Sequence, residues 1–395
     1  MIRVDWKRKA EEEVDALEPR LRGVSDYIFA HPELKFEEKL ASARLTEELE
    51  REGFKVELGV AAIPTALRAV HPAASPGPTV AVIGEYDALP ELGHACGHNL
   101  IAGAGLGAAL ALGRIKRELP GRLVFLGTPA EEGGGGKVRM IEAGVFRDVD
   151  AAMMFHPSPF TAVGHGSLAI IEVRIEFRGV ASHASAWPEK GVNALDAVIQ
   201  TFNGINALRQ HLRDGSRVHG IITHGGAKPN IVPDYAAAEF YVRAADTAYC
   251  DELFEKLRRC AEGAARATGA ELAYSTFDVP YKAMRLNRPL DLAFARNLES
   301  LGWKLDVPRG GTFPLGSTDM ADVSEVVPSI HPYLAICAED IAGHSRAFAE
   351  ASRSERGAAA MLVAAKTMAM TAIDLFTSPE LVREAWAAFG GTSRS

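Results

Sequence analysis

Three short, almost wholly apolar runs constrain this chain more than any other feature: residues 79–84 (TVAVIG), 122–127 (RLVFLG) and 151–155 (AAMMF). With helical stretches between them, such runs predict strands buried on both faces. That is the habit of a mostly parallel sheet with helices on both sides. Amphipathic helical stretches over 6–29 and 36–53 precede them. Near residue 169 the texture changes. Ile171, Val173, Ile175 and Phe177 alternate with Glu172, Arg174, Glu176 and Arg178, so one face of this strand is buried and the other wet. A helix (193–213), two strands (217–223, 235–243), a helix (247–268) and a strand (271–277) follow. The order β-α-β-β-α-β is the ferredoxin-like unit. Near Asn287 the first texture returns and ends in a helix around 356–375. The expected fold is therefore an α/β domain made of 1–168 and 287–395, with a smaller α+β domain, 169–286, inserted into it.

Length and charge narrow the setting. Two domains are the natural expectation for 395 residues, and 47% hydrophobic residues suffice for sizeable cores. A formal net charge of −8, with no dense Lys/Arg block, argues against nucleic acid or an anionic membrane as partner. The N-terminal stretch MIRVDWKRKAEEEV is charged throughout and unlike a secretory signal. The longest apolar run, 100–113, is too short and too rich in glycine to span a bilayer. Four cysteines make no disulfide framework. The expected compartment is the reducing cytoplasm.

Ligand-type residues cluster where the apolar strands end. After 79–84 come Glu85, Asp87, His94, Cys96, His98 and Asn99; after 122–127 come Glu131, Glu132 and four glycines; after 151–155 comes His156. Open α/β sheets bind ligands at this edge. Thiolate, imidazole and carboxylate together suit a borderline metal such as zinc. Cys96 precedes a helix start, whose partial positive charge favours its thiolate. Each residue also has a plainer reading. Cys96 alone could be a small core hydrophobe, His156 a hydrogen-bonded core histidine, and the two glutamates a solvated loop. A solvated loop seldom follows directly on a buried strand, however, and adjacent like charges there call for a counter-ion. The glycine run ending in Lys137 is not a phosphate loop. That motif needs glycine at position 131 and Ser/Thr at 138, where Glu131 and Val138 stand. A nucleophile elbow is absent too, since Ser167 sits in GHGSL.

The tracts GEYDALPELGHACGHN, GTPAEEGGGGK, FHP, GVASHAS, GGAKPNIVPDYAAAEFYVR, GSTDMADVS and GHSRAF span nearly the whole chain. In them the chain resembles the dinuclear metallohydrolases that include aminoacylase, glutamate carboxypeptidase and β-alanine synthase. Gly84–Asn99 is especially similar to the branch of p-aminobenzoyl-glutamate hydrolase, auxin-conjugate hydrolases and β-alanyl-lysine dipeptidase. The resemblance implies two divalent ions, Zn²⁺ favoured and Mn²⁺ possible. It implies Cys96 as their shared ligand, with His98, Glu132, His156 and His344 completing the set. Glu131 becomes the general base acting on a water held between the ions. Asp87 would orient a metal-bound histidine. The inserted domain becomes a lid through which a homodimer forms. There His183 would contact the scissile carbonyl, and Asn230 and Arg243 the substrate carboxylate. Many relatives carry His-x-Asp where this chain has Glu85-Tyr86-Asp87, which leaves the task of Glu85 open.

Three function classes follow. One is an amidohydrolase acting on an N-acyl, N-aryl or aminoacyl amino acid. Another is a dipeptidase or aminopeptidase on the same scaffold, for which Glu85 is the candidate carboxylate for a free substrate amine. The third is an inactive binding protein; intact Glu131 beside intact ligands argues against it.

Overall fold

A computed structural model describes residues 5–72, 75–308 and 312–390. They form two compact units. One comprises Met1–His165, Arg285–Pro314 and Asp319–Ser395, and the other Gly166–Met284 with Leu315–Thr318.

In the first unit the strand Thr79–Glu85 is buried at every position. It pairs in parallel with Arg122–Thr128 on one side and Ala151–Met153 on the other, and Ala151–Met153 pairs in parallel with Ser329–Ile330. Continuous apolar sequence and central position thus agree. The sheet is mixed: the four strands from Arg122–Thr128 to Ser329–Ile330 run parallel, and two at one edge are antiparallel. Beyond Arg122–Thr128 lie Leu67–His71 and then Lys55–Leu58, each antiparallel to its neighbour. These two strands are joined by eight residues that include the 3-10 helix Val60–Ala62, fewer than a crossover between parallel neighbours needs.

The helices cover this sheet by simple patterning. Trp6–Ala30 buries Ala10, Val14, Leu17, Leu21, Val24 and Ile28, a three-and-four spacing that makes one apolar face. Each such Leu or Val taken fully out of water contributes roughly 1.5–3 kcal/mol. That face packs on His98–Ile115, which is apolar nearly all round and buried accordingly. Glu355–Thr377 packs on the same helix. It is long and apolar enough to cross a membrane, but 78% of its most apolar window is buried inside the protein.

The second unit has the element order β-α-β-β-α-β: Ala169–Arg178, Ala194–Leu208, Arg217–His224, Tyr235–Ala244, Thr247–Thr268 and Glu271–Thr276. Its sheet runs Glu271–Thr276, Ala169–Arg178, Tyr235–Ala244, Arg217–His224, antiparallel throughout. Side chains alternate in and out along Ala169–Arg178. The inward set (Val173, Ile175, Phe177, Phe240) meets Val198, Leu253 and Leu257 of the two helices in a core of its own. Leu315–Thr318 belong here as well: the Leu168 N–H donates to the Gly316 carbonyl at 2.7 Å. Arg217–His224 is an edge strand, with Ile221 65% and Ile222 45% exposed.

Candidate metal centre

The ends of the buried strands bring the ligand-type residues of the first unit together. Glu85 closes its strand opposite Thr128. Eleven residues on, the chain re-enters as Cys96-Gly97-His98, the last of which opens the long buried helix. Gly97 has φ 80°, and a Cβ there would lie 2.5 Å from Pro157 Cγ. Only glycine lets Cys96 and His98 come this close to the strand carrying His156.

Donor atoms converge in overlapping sets. Those of Cys96, His98 and His156 lie within 4.8 Å of one another, as do those of Cys96, Glu132 and His344, and those of Glu85, His98 and Glu131. Cys96 belongs to the first two, the position a ligand shared by two ions requires. Cys96 Sγ is 3.5 Å from His156 Nε2, and Glu132 Oε1 is 3.4 Å from His344 Nε2.

Hydrogen bonds outside the cluster aim these groups inward. His98 Nδ1 donates to the Asp87 carbonyl at 2.9 Å and lies 3.0 Å from Asp87 Oδ1, which turns Nε2 toward the centre. Asp87 Oδ2 accepts from the Glu132 N–H at 2.9 Å, so one carboxylate orients two candidate ligands. His156 Nδ1 donates to the Pro157 carbonyl at 2.7 Å, leaving Nε2 as a lone-pair donor. Backbone strain marks the same place. His344 and Ala130, the residue before Glu131, adopt φ 57° and 59°, rare for residues with a side chain. The Ala130 N–H is held by the buried Glu38 carboxylate at 2.9 Å.

The residues fit divalent metal ions. His98 Nε2 and Glu132 Oε1 are buried without hydrogen-bond partners, and buried polar atoms left so are costly. Glu85 Oε1 is unsatisfied as well: it lies 3.1 Å from His98 Nε2, outside hydrogen-bonding alignment. Burial, reinforced by the charges of Glu85 and Glu132, holds the Glu131 carboxyl well above the usual carboxylate range. Burial also pulls His156 down to about 3, which keeps its ring neutral. Cys96 departs from expectation. Burial, reinforced by the charge of Glu132, pushes its thiol well up; a metal ion held there would have to displace that proton.

Two participants escape a reading of the sequence. Lys137 and Asp319 are fully buried and paired with each other, and Lys137 also pairs with Glu85. The glycine run explains how Lys137 gets there. Gly133, Gly134 and Gly135 take φ of 118°, 92° and 60°, and a Cβ on Gly136 would lie 1.8 Å from the Pro129 carbonyl oxygen. The run folds the chain back sharply, so that Glu131 and Lys137 both reach the interior. The glycines beside Lys137 signal the sharp turn but not the partners it finds, which lie 52 and 182 residues away. His94 is a scaffold residue: its Nε2 bonds the Ile28 carbonyl at 3.1 Å, and burial lowers its pKa to about 4. His331 packs edge-on against His156.

In the second unit, the isolated bridge His183↔Ile231 and the Ala184 N–H to Asn230 carbonyl bond (3.1 Å) put His183 beside Asn230. His183 Nδ1 accepts from the N–H groups of Ser185 and Ala186 at 3.4 and 3.3 Å. In the neutral ring the proton then sits on Nε2. His183 and Asn230 are exposed. Arg243 is half-buried, with Nη1 donating to Ser317 Oγ at 3.0 Å.

Known proteins complete the picture. The pattern of peptidase family M20/M25/M40 matches residues 81–367, more than half of the chain. A Mus musculus Xaa-Arg dipeptidase is 41% identical over 391 residues, covering 95% of this chain and 90% of that protein. One of the two chains of the Escherichia coli p-aminobenzoyl-glutamate hydrolase is 31% identical over 451 residues, covering 95% and 93%. Among solved structures, a dinuclear metal-binding peptidase from Bacillus subtilis superposes with a TM-score of 0.69 at 23% identity, covering 92% and 99%. The chain therefore belongs to peptidase family M20/M25/M40, and is a metallohydrolase of amide or peptide bonds.

Proposed function

We propose that this chain hydrolyses the amide bond of an N-acyl, N-aryl or aminoacyl amino acid, with Cys96, His98, Glu132, His156 and His344 holding two divalent ions. The observation that carries this reading is the shared position of Cys96 in two donor sets, beside unsatisfied His98 Nε2 and Glu132 Oε1. Zn²⁺ is the favoured ion because of the thiolate, with Mn²⁺ the second choice. When bound, the ions polarise the scissile carbonyl and lower the pKa of a water at the site.

The protein's own groups do the rest. Glu131 takes the proton from that water and returns it to the leaving nitrogen. His183, through its Nε2 proton, donates to the carbonyl oxygen as negative charge develops there. Arg243 grips the substrate carboxylate with its forked guanidinium, and Asn230 adds a neutral contact. We assign residues 169–286 as the lid and dimerisation domain of a catalytic domain formed by 1–168 and 287–395. The exposed edge strand Arg217–His224 supports a contact there between two copies, because an unpaired strand edge is a ready template for pairing.

A dipeptidase is the second reading, favoured by the 41% identity to a protein named Xaa-Arg dipeptidase. Glu85 does not supply its amine site: it is fully buried and paired with Lys137. The test is a panel of N-acetyl amino acids, p-aminobenzoyl-glutamate and β-alanyl dipeptides, with Zn²⁺ or Mn²⁺ added and with a chelator. At least one member should be cleaved, and chelation should stop it. Full turnover in chelator would overturn the proposal, while the preferred member separates the two readings.

A further inference from the structure

Beside the candidate ligands lies an ionic group to which the steps above give no task. Lys137, Glu85 and Asp319 are all fully buried. Lys137 Nζ pairs with Glu85 Oε2 and lies 2.7 Å from Asp319 Oδ1, while the Lys137 backbone N–H donates to Asp319 Oδ2 at 2.9 Å. Asp319 thus holds the lysine at both ends. The group ties together the end of a buried strand, a helix start delivered by the glycine run, and the residue ahead of Met320–Val323. Taking an ammonium out of water is expensive unless its partners compensate fully.

The second oxygen of Glu85 links this group to the ions. Oε1 is 3.1 Å from His98 Nε2, and the donor atoms of Glu85, His98 and Glu131 lie within 4.8 Å of one another. A carboxylate placed so close to a divalent ion competes to become its ligand. Lys137 already holds the other oxygen of Glu85, Oε2, and so limits how far the carboxylate can turn toward the ion.

We propose that Lys137 is a positioning residue that withholds Glu85 from the metal ions, holding its carboxylate together with that of Asp319. The ion beside His98 then keeps a coordination position open, as hydrolytic centres require. Glu85 lends charge next to His98 without occupying that position. The inference rests on the ligand set proposed above.

The test is titration of the metal-free protein with Co²⁺ against a competing chelator, together with the visible absorption of bound Co²⁺, which weakens as coordination number rises. Wild type should bind two ions; if it binds none, the ligand set itself fails and no variant is needed to show it. Glu85→Gln should still bind two ions with wild-type absorption, because Glu85 is not a ligand. Lys137→Met should bind one ion about tenfold more tightly with weaker absorption, and should lose about 10–100-fold in kcat with little change in KM. Adding Glu85→Gln to Lys137→Met should abolish that gain in affinity and return absorption to the wild-type value. Loss of an ion in Glu85→Gln overturns the proposal, and so does wild-type binding and absorption in Lys137→Met. If Lys137→Met does not fold, Lys137→Met with Asp319→Asn takes its place: it leaves Glu85 as the one unclaimed carboxylate of the group, and the same gain in affinity and weaker absorption are expected, with wild-type binding and absorption overturning the proposal.

Discussion

Asp87 and His98 in the first unit, and His183 and Asn230 in the second, are held in contrasting ways. Asp87 and His98 are fully buried; Asp87 fixes the His98 ring and is itself held by the Glu132 N–H. His183 and Asn230 are exposed, placed by a single bridge between two loops. Folding alone arranges the buried donor cluster, whereas the two residues proposed for recognition stand exposed, where something that binds would complete them. Substrate and a second copy of the chain are the two candidates, and both can act at once.

Mixing variants is the sharpest way to break this contrast. His183→Ala should lower kcat by about 10²–10³, the usual cost of removing one oxyanion donor. If His183 serves the neighbouring centre, mixing inactive His183→Ala with inactive Glu131→Gln dimers should restore up to about a quarter of wild-type activity. Half of randomly mixed dimers are hetero, and each has one good site of two. Confirmed exchange with no recovery would place His183 within its own subunit or outside the reaction.

Arg243 should show a smaller effect confined to binding. A lysine keeps the charge but cannot form the paired bonds of a guanidinium, so Arg243→Lys should raise KM about tenfold for the free acid. For the matching substrate amide it should change little. Equal behaviour toward acid and amide would remove Arg243 from recognition.

His94 tests the other side of the contrast, as a buried histidine of the scaffold. His94→Ala leaves the Ile28 carbonyl without this partner in a buried site and should cost about 1–3 kcal/mol of stability. Thermal unfolding measures this, and metal content should stay unchanged. A lost ion would move His94 into the centre.

These regions are not equally legible in the sequence. The strand Thr79–Glu85 is apolar without interruption, and Ala169–Arg178 alternates cleanly, so both can be read with their surroundings. Lys55–Leu58 cannot: KVEL is half charged, three of its four residues are exposed, and the register of its hairpin makes it a strand. With it the antiparallel edge of the sheet stays hidden. The donor residues stand out because each follows an apolar strand directly. Asp87 shows as a carboxylate near His98 and lies where it orients that ring. The role of Lys137 is concealed because its partners are 52 and 182 residues away, and nothing local in a run of glycines announces a buried ion pair.

The proposed mechanism divides labour between adjacent glutamates: Glu132 would hold metal and Glu131 would move a proton. Elemental analysis of two purified variants, with kcat measured beside it, tests this most directly. Glu131→Gln should keep both ions and lose about 10²–10⁴ in kcat, because the base is gone and the ligands are intact. Glu132→Ala should lose at least one ion. Equal loss of metal from both variants, or two ions retained by Glu132→Ala, would contradict the account.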